Sequence, residues 1–171
     1  MDNRASKRII IINGKGTSGK DTFVNIVNKY VPTENYSSID LIRKVATQLG
    51  YNGGKTMKDR KFLSDMKVLA TEYNDAPYND IIDRVLKFIY CKQNKNQLLF
   101  IHIREPEEIK RIVDTFGAKT LFIKRENLND ITSNSSDGRV SKYKYDYSIL
   151  NTTLEEYEKK ACEFINWLEK V

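Results

Sequence analysis

Hydrophobic positions along the chain change their period several times, and each change marks an element. Ile9, Ile10, Ile11 and Ile12 form an unbroken β-branched run, as expected of a strand covered on both faces of a parallel sheet. From Asp21 to Tyr30 the residues Phe23, Val24, Val27 and Tyr30 recur at helical spacing, which Pro32 ends. Tyr36 to Ile39 reads as a short second strand. Leu41, Ile42, Val45, Ala46 and Leu49 form a helical stripe that stops at Gly50, and "YNGGKTMKD" is a loop by its glycines. Two further helical stripes follow, one on Phe62, Leu63, Met66, Leu69, Ala70 and Tyr73, the other on Ile81, Ile82, Val85, Leu86 and Ile89.

The second half returns to strands. "LLFIHI" (98–103) and "KTLFIK" (119–124) are buried-strand patterns, separated by a helix that Pro106, Glu107 and Glu108 open and Gly117 closes. Residues 126–144 are polar and carry no core pattern. "YDYSIL" predicts a last strand, and Thr153 with Glu156 predicts a capping box for a helix presenting Leu154, Tyr157, Ala161, Phe164 and Leu168. Strands alternating with helices imply an α/β fold built on a mainly parallel sheet of about five strands. With 171 residues and no repeat or linker, residues 1–171 are expected to form a single domain.

Composition narrows the function classes. Hydrophobic content of 40% and charged content of 30% describe an ordinary globular protein. The run Ile9–Ile12 is too short for a signal core or a membrane span, so no membrane role is expected. Cys91 and Cys162 lie far apart and the chain has one histidine, which argues against a disulfide framework or structural zinc and for a cytoplasmic location. The net charge of +6 is concentrated at Arg43, Lys44, Lys55, Lys58, Arg60, Lys61 and Lys67, a distribution that suits an anionic partner. A phosphorylated small molecule needs two or three of these cations, so nucleic acid is not required and the others are expected to be solvated. A homodimer is left open.

Between the first strand and the first helix stands "INGKGTSGKDT". Gly14, four residues, Gly19 and Lys20 have the spacing of a phosphate-binding loop, here in its strand–loop–helix context. Gly14, Lys15, Gly16, Thr17, Ser18, Gly19, Lys20, Asp21 and Thr22 are therefore expected to bind a nucleotide's phosphates. The glycines allow backbone amides to converge on anionic oxygens, and the helix N-terminus adds to the attraction. Lys20 is expected to bridge the terminal phosphates of ATP. Asp21 replaces the usual hydroxyl residue. It is read as a hard oxygen ligand for Mg2+, or alternatively as a first-turn acid that stabilises the helix.

"GKGTSGKDT" resembles the GxxxSGKDT loop of the deoxynucleoside monophosphate kinase and animal phosphomevalonate kinase group of P-loop kinases. "SSIDLIRKVA" is similar to that group's segment after the second strand, with Asp40 and Arg43 at its acidic and basic positions. "FIHIREPEEI" resembles the DxRxpxE element through Arg104, Pro106 and Glu108, and "YDYSILNTTLEEYEKKACEFI" resembles the terminal DyxIxNxgtLeeL pattern shared with dephospho-coenzyme A kinases. The resemblance implies a P-loop NTPase fold, three-layer αβα, and an ATP- and Mg2+-dependent nucleoside or deoxynucleoside monophosphate kinase. It implies an acceptor-binding helical region at about 40–90 and a short lid at about 126–144. One departure stands out: His102 occupies the position of the DxR aspartate, where it either cedes that task to Asp21 or Asp40 or serves as a neutral strand-end histidine.

Transfer between two anions needs cations that hold both phosphates in line. Arg43, Arg60 and above all Arg104 are the acceptor candidates, because arginine binds phosphate through two parallel bonds. Asp40 is a candidate partner for a sugar hydroxyl. Arg125 and Arg139 flank the polar stretch, and one of them is expected to reach the γ-phosphate. Other readings are a dephospho-coenzyme A or small-metabolite kinase, and a nucleotide-binding regulatory protein. A GTPase is discounted, since the nearest string to its guanine motif, "NKNQ" at 94–97, lacks the aspartate.

Overall fold

A computed structural model describes residues 7–125 and 143–171. Five parallel strands form one sheet: β1 (Arg8–Asn13), β2 (Thr33–Ser37), β3 (Leu98–His102), β4 (Lys119–Arg125) and β5 (Tyr147–Asn151), in the order β2-β3-β1-β4-β5. Six helices accompany them among the described residues: α1 (Lys20–Asn28), α2 (Asp40–Gln48), α3 (Met57–Asn74), α4 (Ala76–Tyr90), α5 (Pro106–Phe116) and α6 (Leu154–Leu168). The chain divides into two compact units, Met1–Asn35 with Gln93–Val171, and Tyr36–Lys92.

In the first unit the isoleucine run becomes the middle strand, as its pattern predicts. Ile10, Ile11 and Ile12 are fully buried because β1 is paired on both sides, with Ile12 beside His102 of β3 and Leu121 of β4. Alternate side chains point to opposite faces. Ile10, Ile12, Phe100, Leu121 and Ile123 pack with Phe23 and Val27 of α1 and Tyr157, Ala161 and Phe164 of α6. Ile9, Ile11, Leu99 and Ile101 are buried on the other face. The connection from β3 to β4 through α5 runs across the sheet in the opposite direction to that from β1 to β2. Right-handed crossovers therefore place α5 on the face opposite α1, giving three layers.

Two local expectations shift. The second strand begins at Thr33 and ends at Ser37, because Asp40 accepts the Ser37 amide at 2.9 Å and opens α2 within three residues. At α6 the Thr153 hydroxyl accepts from the Glu156 amide, but the Glu156 carboxylate turns to the Thr152 hydroxyl, so half of the expected capping box forms. A complete box occurs where none was expected, with Thr56 and Asp59 at the start of α3.

The second unit has its own small core, Ile42, Ala46 and Leu63, with Ile39, Tyr51, Met66 and Ala70 against it. Several predicted core positions are exposed here: Val45 and Leu49 on α2, and Leu69 and Tyr73 on α3. Three helices in so short a segment supply too little facing surface to cover every apolar position on their stripes.

Candidate functional site

The sheet order sets the position of the site. From β1 the chain leaves toward β2, and from β3 it leaves toward β4, so β1 and β3 flank a topological switch point, where α/β folds bind ligands outside the carboxyl ends of the strands. Residues 14–19 leave β1 at that edge, and His102, Ile103 and Arg104 leave β3 beside them.

The loop is held by the geometry of its glycines. Gly14 has φ 148° and Gly19 has φ 96°, backbone conformations costly for other residues. A Cβ on Gly14 would stand 2.4 Å from the Ile123 carbonyl oxygen, and one on Gly19 would stand 2.3 Å from Asn151 Nδ2. Thr17 at the loop's turn also has positive φ, 61°, and its hydroxyl donates to the Gly16 carbonyl at 2.6 Å. Strained backbone of this kind persists only where its surroundings enforce it.

Those surroundings grip the loop by its carbonyl oxygens. Asn151 Nδ2 donates to Ser18 at 2.9 Å, the Tyr157 hydroxyl to Gly19 at 3.0 Å, and Arg125 to Thr17 at 3.4 Å. In a trans peptide the N–H points away from the C=O. Anchoring these three carbonyls therefore directs the amides of Ser18, Gly19 and Lys20 away from the anchors, and that of Ser18 donates to the Lys15 carbonyl at 3.2 Å. Burial pushes the Tyr157 phenol up from its ordinary value, so it stays a donor across the neutral range.

Lys20 opens α1 and its side chain folds back across the loop. Nζ donates to the carbonyls of Gly14 at 2.7 Å and Lys15 at 2.9 Å, and lies 3.5 Å from the Ser18 hydroxyl. An ammonium gathered by backbone oxygens at the N-terminus of α1 is a donor that a phosphate chain could use. Asp21 is 85% exposed in the first turn of α1, with Thr22 exposed beside it. Carboxylate and hydroxyl oxygens at the mouth of such a loop suit Mg2+, which commonly takes one or two protein oxygens and completes its shell with water and phosphate. Among the described residues, no group of three or more His, Cys, Asp or Glu side chains gathers to hold a metal by itself.

His102 lies at the end of β3. Its Nε2 is 2.8 Å from Asn35 Oδ1 and 3.7 Å from Asp21 Oδ1, so a row of Asn35, His102 and Asp21 runs from the middle of β2 past the end of β3 to the first turn of α1. Arg104 is half-buried two residues beyond the strand. The loop residues, Lys20, Asp21, His102 and Arg125 are thus assembled in the first unit. In the second unit Asp40 and Arg43 form an exposed i,i+3 ion pair at 3.0 Å at the start of α2, and Arg60 is exposed in the first turn of α3. Arg139 lies outside the described residues, as does most of the expected lid.

Asn13, Asn35, Asn151 and Tyr157 escaped the sequence reading as site residues. Asn151 and Tyr157 stand within the terminal pattern quoted above, but nothing local to them indicates that they reach a loop more than 130 residues earlier.

No protein-family model and no curated protein matches the chain. Solved structures do. A thymidylate kinase from Ehrlichia chaffeensis is similar over 94% of this chain and 99% of its own, with a TM-score of 0.56 at 10% identity. A sugar kinase from a Janibacter species is similar over 94% of this chain and 95% of its own, with a TM-score of 0.52 at 12% identity. The chain has the fold of the P-loop kinases. At such identities the likeness extends to the fold alone.

Proposed function

We propose that the protein is a P-loop kinase that transfers the γ-phosphate of Mg2+-bound ATP to the phosphate of a small acceptor, a nucleoside or deoxynucleoside monophosphate. The observation that carries this reading is the Lys20 ammonium, held by two loop carbonyls inside an anchored glycine loop at the switch point of the sheet. Residues 14–22 bind the phosphates of ATP. Lys20 exchanges its carbonyl partners for β- and γ-phosphate oxygens and offsets the charge of the transferred group. Mg2+, held by Asp21, supplies further charge neutralisation when bound.

Arg104, leaving β3 next to the loop, receives the acceptor phosphate through paired N–H bonds. Arg125, already against the Thr17 carbonyl, and Arg139 are assigned to the γ-phosphate. Asp40, Arg43 and Arg60, in the helical region expected at about 40–90, are the further acceptor candidates of this reading. An acceptor phosphate is ionised near neutral pH, so no strong general base is needed. Residues 1–171 acting as one kinase domain in the cytoplasm belong to the same proposal.

Two variants test it. Lys20→Ala is expected to lower phosphoryl transfer at least about a hundredfold in folded protein. Arg104→Ala is expected to raise the acceptor KM about tenfold or more with the ATP KM within about twofold. Wild-type transfer by Lys20→Ala would remove the loop from the chemistry, and a change confined to the ATP KM would take Arg104 out of the acceptor site.

A further inference from the structure

Asn13 ends β1 and is 1% exposed. Its Oδ1 accepts the Gly14 amide at 2.8 Å, its Nδ2 donates to the Ile103 carbonyl at 2.6 Å, and the same side chain hydrogen-bonds the Tyr145 phenol. The partners fix which way the carboxamide faces. Reversed, it would set its NH2 against the Gly14 N–H and its oxygen against the Ile103 carbonyl. Both backbone partners adjoin groups assigned to the reaction. Gly14 follows with the carbonyl that accepts from Lys20 Nζ at 2.7 Å, and the Ile103 carbonyl belongs to the peptide that carries Arg104.

Packing leaves the joint little slack. Gly14 has φ 148° and its α-carbon abuts the Ile123 carbonyl closely enough to exclude a Cβ. Tyr145 stacks on Phe122 of β4, with ring centroids 4.8 Å apart and planes 23° apart. Beside it Asp146 locks to Thr120, accepting from its amide at 2.8 Å and its hydroxyl at 2.7 Å. Asn13 therefore ties together the ends of β1 and β3, the first amide of the loop and the approach to β5.

We propose that Asn13 is a positioning residue for phosphoryl transfer. Through the Gly14 peptide it sets the orientation of the loop's first amide and the seat of the Lys20 ammonium, and through the Ile103 carbonyl it fixes the peptide from which Arg104 projects. The proposal rests on the kinase reading of the loop and adds to it, because the spacing GxxxxGK does not specify the residue before its first glycine.

Two readouts test it, amide hydrogen exchange of the protein without nucleotide and the affinity for ATP. In Asn13→Ala the Gly14 amide is expected to lose protection while Ile10–Ile12 keep theirs, and ATP affinity is expected to fall about tenfold. Tyr145→Phe keeps both backbone bonds of Asn13, so Gly14 should stay protected with ATP affinity within about twofold of wild type. If Asn13→Ala does not fold, Asn13→Asp replaces it: Gly14 keeps its acceptor while an oxygen faces the Ile103 carbonyl. Gly14 protection retained with the acceptor KM raised about tenfold supports the proposal in that variant, and a wild-type acceptor KM overturns it.

Unchanged Gly14 exchange and ATP affinity in Asn13→Ala overturn the proposal alone. A Tyr145→Phe variant that reproduces Asn13→Ala overturns it by giving the role to the phenol. Wild-type protein that binds no ATP overturns the nucleotide reading and the positioning role together, which separates the two failures.

Discussion

At Gly14 an added Cβ would meet the Ile123 carbonyl oxygen at 2.4 Å, whereas at Gly16 it would meet nothing within 4 Å. The two glycines of one loop thus answer to different constraints. Gly14→Ala is expected to destabilise the protein by about 2 kcal/mol or more, because both its φ and its neighbour resist the methyl. Gly16→Ala is expected to leave the melting temperature nearly unchanged, since surface changes away from packed features stay within about 0.5 kcal/mol. Thermal melts of both variants check this, and equal losses would mean that the loop is not packed as described. Asp21, 85% exposed, is free of such packing constraints. Asp21→Ala is therefore expected to preserve stability and raise the Mg2+ concentration needed for half-maximal activity; an unchanged Mg2+ profile would return it to the role of a helix-stabilising acid.

At the level of elements, the residues that announced themselves are those whose local chemistry is restrictive. Four consecutive isoleucines fit a doubly covered strand, Pro106 and Gly117 fit the ends of one helix, and Gly14, Gly19 and Lys20 fit one kind of loop. What stayed hidden depends on contacts distant in sequence. Asn13 needs the Ile103 carbonyl, Asn151 needs Ser18, and His102 needs Asn35 and Asp21; none of these partners can be inferred from an asparagine or a histidine taken alone. The exposed Leu69 and Tyr73 show the opposite failure, since helical spacing identifies an apolar stripe without telling whether anything covers it. The contact from α6 to the loop predicts a measurable link between elements. Tyr157→Phe removes the donor to the Gly19 carbonyl and should weaken ATP binding several-fold with a modest loss of stability, on the order of 1 kcal/mol. Titration of ATP into the two proteins checks it, and equal affinities would make the phenol a packing group only.

Across the whole molecule, buried phenols set a limit at high pH. Burial raises Tyr36, Tyr145 and Tyr157 above their ordinary values, and the Asp80 carboxylate raises Tyr36 further. In the unfolded chain these phenols ionise near pH 10 while the native protein retains the protons, so their contribution to stability is complete below about pH 10 and is lost as pH rises through the native values. Stability is expected to decline above that point, and less steeply in Tyr157→Phe; a flat profile would contradict the burial of these groups.

The charge of +6 and the anchored loop both favour an anionic ligand, which the proposed kinase reading takes to be phosphate at both ends of the transfer. That claim is tested most directly by ADP release from ATP·Mg2+ across all ribo- and deoxyribonucleoside monophosphates, with dephospho-coenzyme A included and Lys20→Ala as the control. The account predicts that one nucleoside monophosphate stimulates ADP release well above the others and that Lys20→Ala abolishes the stimulation. Demonstrable ATP binding with no turnover on any acceptor, or turnover that survives Lys20→Ala, would contradict it.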